Sequence, residues 1–269
     1  MKRLRQPLVL RLKRQALDLG LYGRTDYVRF VVLGRSRVGS NLLRGLLNAH
    51  PQAEAFGEIF RDDNSLDWDH AGHFQSRSAH SMLRQDPVKF LDAKVFGRYP
   101  SAIRAVGFKL FYYHARNGHK AAVWPYLQDR TEIRIVHLKR RNLLRTHLSR
   151  QRAAVTDQWV NTSGQPDSGV VVRLDYEECL KDFVQTRTSE EESDRAFADH
   201  PIFHLEYETL VGDYGAEIRS LQDFLGLEPR AVTPSTFQQT RQPLSAVIAN
   251  YAELREKFAG TQWAEFFTG

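Results

Sequence analysis

The chain has a single cysteine, Cys179, among its 269 residues. One thiol excludes an intramolecular disulfide framework and any multi-cysteine zinc site, and it suits a reducing, cytoplasmic setting. Long hydrophobic runs are missing as well: nothing approaches the roughly 20 apolar residues that a bilayer span needs. The basic N-terminus lacks the continuous apolar stretch and small-residue cleavage site of a secretory leader. Glycine and proline, at 17 and 10 residues, are too few for a collagenous or low-complexity chain. What remains is 42% hydrophobic and 26% charged, enough for a sizeable core in one domain with a small appendage. The expected division is a basic N-terminal helix over residues 1–24 and a single α/β domain over 25–269.

The net charge of +6 is unevenly placed. Residues 1–24 hold Lys2, Arg3, Arg5, Arg11, Lys13, Arg14 and Arg24 against Asp18 alone, and residues 131–152 hold seven further cations against Glu132. Each segment therefore carries +6 and the rest of the chain −6. Clustered Lys and Arg are the footprint of phosphate contact, so a non-catalytic nucleic-acid binder is one reading. Two solvated helix faces are the plainer one. With leucines at 8, 12 and 19 on one side, the first segment also suits peripheral contact of residues 1–22 with the anionic inner face of a membrane.

Apolar periodicity predicts strands at 27–33 (YVRFVVL), 105–112 (AVGFKLFY), 133–138 (IRIVHL) and 202–205. Helices are expected at 1–22, 42–47, 118–128, from 139 to about 154, 174–198, 217–225 and around Ile248, Tyr251 and Leu254. Residues 61–86 are polar and irregular and read as loops with room for short helices, and 156–169 reads as a surface loop. Strands separated by helices argue for a three-layer α/β sandwich with a mainly parallel central sheet.

The most informative segment is Gly34-Arg35-Ser36-Arg37-Val38-Gly39-Ser40-Asn41, between the first strand and a helix. A glycine-bearing turn there turns backbone N–H groups and a helix N-terminus toward an anion. The spacing is that of a Walker A loop, but Ser40-Asn41 stands where Lys-Ser/Thr would be, and no acidic residue ends the third strand. A metal-dependent nucleotide phosphotransferase is therefore disfavoured. The cation in this loop is Arg37.

These residues resemble the sulfotransferase family that uses 3′-phosphoadenosine 5′-phosphosulfate (PAPS). The likeness runs through Arg37-Val38-Gly39-Ser40-Asn41, LLRGLLNAHP and Gly57-Glu58, as in the bacterial carbohydrate and tyrosylprotein branches. Val38 and Asn41 replace the usual Ser and Thr, so the Asn41 amide must substitute for a hydroxyl donor. Arg141 and Ser149 keep the family's spacing for the residues that bind the donor's 3′-phosphate, while Arg140 and Arg145 could equally be solvated. Weaker matches are Tyr207-Glu208-Thr209-Leu210 with FLGL at 224–227, and the tail from Gln239, where Arg241 is the cation nominated for the donor.

The resemblance implies a P-loop-like phosphosulfate-binding strand–loop–helix and in-line sulfuryl transfer from PAPS, without a metal, to a hydroxyl. A carbohydrate or glycolipid acceptor is expected rather than a protein tyrosine, and no nucleic-acid partner. Arg37 and the Gly39–Ser40 amides would hold the phosphosulfate, with Glu58 as general base and His114 in reserve. Glu54 serves as a surface-carboxylate comparison. Lys109 sits in the apolar run GFKLF, either buried to stabilise charge on the sulfuryl oxygens or solvated at a strand edge. His70, His73 and His80, with Asp67 and Asp69, match no standard metal spacing and suit an acceptor-binding loop.

Overall fold

A computed structural model describes residues 8–63, 65–68, 73, 76–156, 170–233 and 242–268. Helix α1 (Leu8–Asp18) leads into β1 (Val28–Gly34), the β-branched run VRFVVLG. Helix α2 (Ser40–Asn48) and strand β2 (Ala53–Glu58) follow. Helices α3 (Arg77–Gln85) and α4 (Pro87–Phe90) continue into a π-turn before β3 (Ala105–Phe111). The helix expected at 118–128 is a 3₁₀ turn followed by α5 (Val123–Gln128). Strand β4 (Arg134–Lys139), helices α6 (Leu143–Thr156) and α7 (Tyr176–Ala196), and strand β5 (Ile202–Glu206) complete the sheet region. Helices α8 (Tyr207–Gly212), α9 (Tyr214–Phe224), α10 (Leu244–Val247) and α11 (Tyr251–Phe258) close the chain.

The five strands pair in the order β2-β3-β1-β4-β5, every pair parallel. Parallel sheets need both faces covered, and they are. Val31, Leu33, Phe108, Leu110 and Ile135 pack with α3 and α5 on one face. Phe30, Val32, Val136 and Leu138 pack with α2 and α9 on the other. A third apolar cluster joins α6, α7, α10 and α11. The architecture is the expected three-layer α/β sandwich.

Several expectations need correction. Strand β2 (AEAFGE) had no sequence signal, because Glu54 and Gly57 break its apolar pattern. Glu54 is no surface carboxylate either: it is 8% exposed within that strand. The region 61–86 carries a short helix, α3, capped by Ser76, as the sequence allowed, but Leu66, Trp68 and His73 in it are buried. His73 packs against Phe56, Trp68 and Tyr99, which is a core position and not an acceptor loop. His70 and Asp69 lie outside the described residues.

Chain direction puts a switch point between β1 and β4. The connection leaving β1 runs toward β2 at one edge, and the one leaving β4 runs toward β5 at the other. In open parallel sheets the ligand crevice lies at the carboxyl ends of such a strand pair. Beside it, His137 of β4 is clamped by the Tyr112 hydroxyl at 2.7 Å and by Asp194 of α7 at 2.6 Å. His137, Asp194 and His204 converge within 4.8 Å, but the Lys139 ammonium, 2.6 Å from Asp194 Oδ2, already supplies positive charge there.

Gly107 of β3 faces Phe30 so closely that an added Cβ would meet Phe30 O at 2.4 Å. Gly107→Ala is therefore expected to destabilise the fold by about 1–3 kcal/mol, measured by urea unfolding. Burial pushes the His137 imidazole down to about 4 despite Asp194. Its unfolded value is about 6.5, so its contribution is complete above pH ~6.5 and is lost as pH falls toward 4. Unfolding free energy measured across that window should fall in the native chain and fall less steeply in His137→Asn.

Candidate active site

The loop after β1 is shaped by two left-handed residues, Arg37 at φ 70° and Gly39 at φ 93°. Gly39 is the N-cap of α2 and offers no side chain to its first N–H groups. A side chain there is barred twice, by φ and by Tyr207, whose Cδ2 would lie 2.4 Å from an added Cβ. Uncapped N–H groups behind alternating backbone conformations form an anion cradle. Tyr207 thus belongs to the site's wall, a role that its weak family match did not reveal.

Cations converge on this cradle from the second basic segment. Arg37 Nε donates to Ser149 Oγ on α6 at 2.8 Å. Arg140 donates to the Arg37 carbonyl at 3.2 Å and lies over the Tyr207 ring, 4.5 Å from its centroid. Arg141 is placed differently from expectation. Its guanidinium is 64% exposed and pairs with Glu206 at 3.1 Å, while Glu208 accepts from its backbone N–H at 3.0 Å. Among the described contacts, Ser149 meets Arg37 and not Arg141. Arg145 is turned to the Gln242 carbonyl at 3.2 Å. Arg241 lies outside the described residues.

A buttress that sequence reasoning missed stands behind the loop. Asp182 of α7 receives Arg35 from the loop and Arg150 from α6, with His147 Nδ1 at 3.3 Å. Arg35 also donates to Thr186 Oγ1 at 2.7 Å. Burial alone would raise the Asp182 carboxyl, but the His147 hydrogen bond and the two guanidinium charges outweigh it and hold it low. A buried Asp in an otherwise charged helix leaves no distinctive pattern, since α7 carries many solvated acids.

The carboxylate side of the site is built on β2 and β3. Lys109 is 1% exposed, because β3 is an interior strand and not an edge. Its ammonium donates to Asn41 Oδ1 at 2.6 Å and to Glu58 Oε1 at 3.2 Å. Burial lowers the Lys109 pKa, and the Glu58 charge opposes that shift. Asn41 therefore spends its carbonyl on Lys109, a contact that does not use its amide N–H groups. Glu58 sits where β2 shifts register against β3. Its backbone N–H reaches Asp67 at 3.4 Å, and Asp67 is also 3.3 Å from Arg44 on α2.

His114 lies at the same mouth, with Nε2 3.9 Å from Glu58 Oε2. Its Nδ1 accepts from the Phe111 N–H at 3.3 Å, and burial pushes its pKa down to about 4. With Nδ1 used as an acceptor, the neutral ring carries its proton on Nε2. The structure thus brings together Arg37, Val38, Gly39, Ser40 and Ser149 on the anion side, and Asn41, Lys109, Glu58 and His114 on the carboxylate side.

Nodulation protein H of Rhizobium tropici is 29% identical over 249 residues, covering 88% of this chain and 92% of that protein. Nodulation protein H of Rhizobium meliloti (strain 1021) is 26% identical over 253 residues, covering 88% and 94%. The crystal structure of a sulfotransferase from Alicyclobacillus acidocaldarius shares the fold at a TM-score of 0.51 and 15% identity, covering 90% of this chain and 91% of that one. The sulfotransferase family model matches residues 29–231, from β1 through α9, and so takes in both loops of the crevice. The chain belongs to the sulfotransferase family and is a sulfotransferase enzyme.

Proposed function

We propose that this enzyme moves a sulfuryl group from PAPS to a hydroxyl of a carbohydrate or glycolipid, with Glu58 as general base. The observation that carries the reading is the Asn41–Lys109–Glu58 chain, which sets a carboxylate at the edge of an uncapped helix N-terminus. A bound donor supplies an activated sulfuryl group on a phosphate leaving group. The donor set suits that group: Arg37, the Gly39–Ser40 amides and the Asn41 amide all offer N–H donors to an anion.

In the reaction the acceptor oxygen forms a bond to sulfur as the bond from sulfur to the phosphate oxygen breaks. The electron pair leaves on the phosphate, where Arg37 and the α2 N-terminus stabilise it. The acceptor proton passes to the Glu58 carboxylate. Lys109 commits two of its three N–H donors to Asn41 and Glu58, which leaves one for a sulfuryl oxygen. His114 carries its proton toward Glu58 and has no lone pair there, which favours Glu58 over His114 as base. Arg141 and Ser149 are assigned the 3′-phosphate: Ser149 already stands beside Arg37, and Arg141 is exposed enough to leave Glu206 for a stronger anion.

Calorimetric titration with 3′,5′-ADP, ADP and Mg-ATP tests the donor class. Metal-independent binding that requires the 3′-phosphate is expected, weakened about tenfold or more in Arg37→Ala and Arg141→Ala. Preference for Mg-ATP would assign a phosphotransferase, and unchanged affinity in Arg141→Ala would remove the 3′-phosphate assignment. For Glu58→Gln, 3′,5′-ADP affinity should stay within about twofold while turnover drops about 100-fold or more, as for loss of a general base. Turnover is read as PAPS-dependent sulfation across a carbohydrate and glycolipid panel. Loss of nucleotide binding in that variant would make Glu58 a structural residue.

A further inference from the structure

Helix α1 takes no part in the chemistry above, yet it is fixed firmly to the body. Arg14 is buried, pairs with Asp18 at 2.6 Å, lies 3.3 Å from His73 Nε2 and stands over the Tyr99 ring. Asp18 also receives Lys94 at 2.7 Å. Leu17, one turn from Arg14, is buried. The expected leucine stripe is not the packed face: Leu12 is 54% exposed and Leu19 is 76% exposed. Six of the eleven large exposed hydrophobics among the described residues fall here, at Val9, Leu10, Leu12, Leu19, Leu21 and Tyr22.

The end of α1 holds that pattern in place. Gly20, at φ 73°, closes a Schellman turn in which its N–H reaches the Leu17 carbonyl and the Leu21 N–H reaches the Ala16 carbonyl, at 2.9 and 3.0 Å. The residue in Leu21's position commonly folds back onto the helix. Here it is 73% exposed, and the Tyr22 hydroxyl ties the turn to the Lys13 carbonyl at 3.1 Å. The exposed apolar residues cannot rotate inward while Arg14 stays locked.

Charge selects the partner. Residues 1–13 contain Lys2, Arg3, Arg5, Arg11 and Lys13 and no acid. The described pair Arg11 and Lys13 is exposed on the same short helix as Val9 and Leu12. Rigidly displayed leucines flanked by cations fit the headgroup region of an anionic bilayer, where apolar burial and electrostatic attraction add. No helix among the described residues is long and apolar enough to cross a membrane, so the contact would be peripheral. We infer that α1 and its Schellman turn form a docking surface for an anionic lipid bilayer. The inference is independent of the donor and acceptor assignments.

The test is co-sedimentation of the full chain with phosphatidylcholine vesicles, with and without phosphatidylglycerol. Binding is expected only with the anionic lipid and should weaken with salt. Arg11→Gln/Lys13→Gln should reduce it about tenfold or more, as for two cations near an anionic surface. Leu12→Ser/Leu21→Ser, both at exposed positions, should abolish it with an unchanged thermal midpoint. Equal sedimentation with neutral vesicles, or full binding by both variants, would overturn the proposal. A native dimer that Leu12→Ser/Leu21→Ser converts to monomer would assign the face to a second copy and overturn it as well.

Discussion

Lys109 places an ammonium on an interior strand with both sheet faces covered. Removing such a charge from water costs several kcal/mol unless good partners surround it. The partners it finds are Asn41 and Glu58, and that requirement organises the site. Asn41 presents a carbonyl to β3 and still carries two amide N–H donors, where a threonine hydroxyl would bring one O–H donor beside its lone pairs. Glu58 must lie at the end of β2 with one oxygen on Lys109, which orients the other toward the crevice mouth. Strand β2, loop and β3 are thus cross-linked by one cation.

The second basic segment carries less free charge than its composition suggests. Arg150 is spent on Asp182, Arg134 lies against Phe224, and Arg145 donates to a carbonyl. Arg140 is stacked on Tyr207 while it reaches the loop. Much of the segment's charge therefore fastens α6, α7 and α8 to the crevice. Asp182 does the same work in reverse: one buried carboxylate holds two arginines that would otherwise repel each other beside an anion site. A purely solvated helix face, or a continuous phosphate-tracking surface, would show none of this internal pairing.

Strands with unbroken β-branched runs were legible in the sequence because both of their faces are buried, as VRFVVLG and IVHL show. The strand AEAFGE was not, since its end residues serve the site and its Glu54 is buried against pattern. The loop from Gly34 to Asn41 was legible because a tight turn into a helix demands particular residue types at fixed spacing, with Gly39 in the left-handed region. Lys109 was ambiguous for a physical reason: alternation says which face a residue takes, but not whether that face is covered. The roles of Asp182 and Tyr207 were not legible for another reason, since their partners lie 147 and 168 positions away along the chain, at Arg35 and Gly39.

Replacing a helix-borne Walker lysine by a loop-borne arginine changes what holds the cation still. A lysine inside α2 would inherit its direction from the helix. Arg37 instead sits at φ 70°, a conformation that costs an L-residue about 1 kcal/mol or more. That cost must be offset locally, and among the described contacts the Arg140 hydrogen bond to the Arg37 carbonyl and the Arg37 hydrogen bond to Ser149 contribute to this. Both come from the segment after β4, across the switch point. The two loops are therefore mechanically linked: disturbing the segment after β4 removes both of these holds on Arg37. The loop after β1 and the segment after β4, about a hundred residues apart in sequence, are held in one arrangement by these two hydrogen bonds, which fix the strained conformation of a single residue.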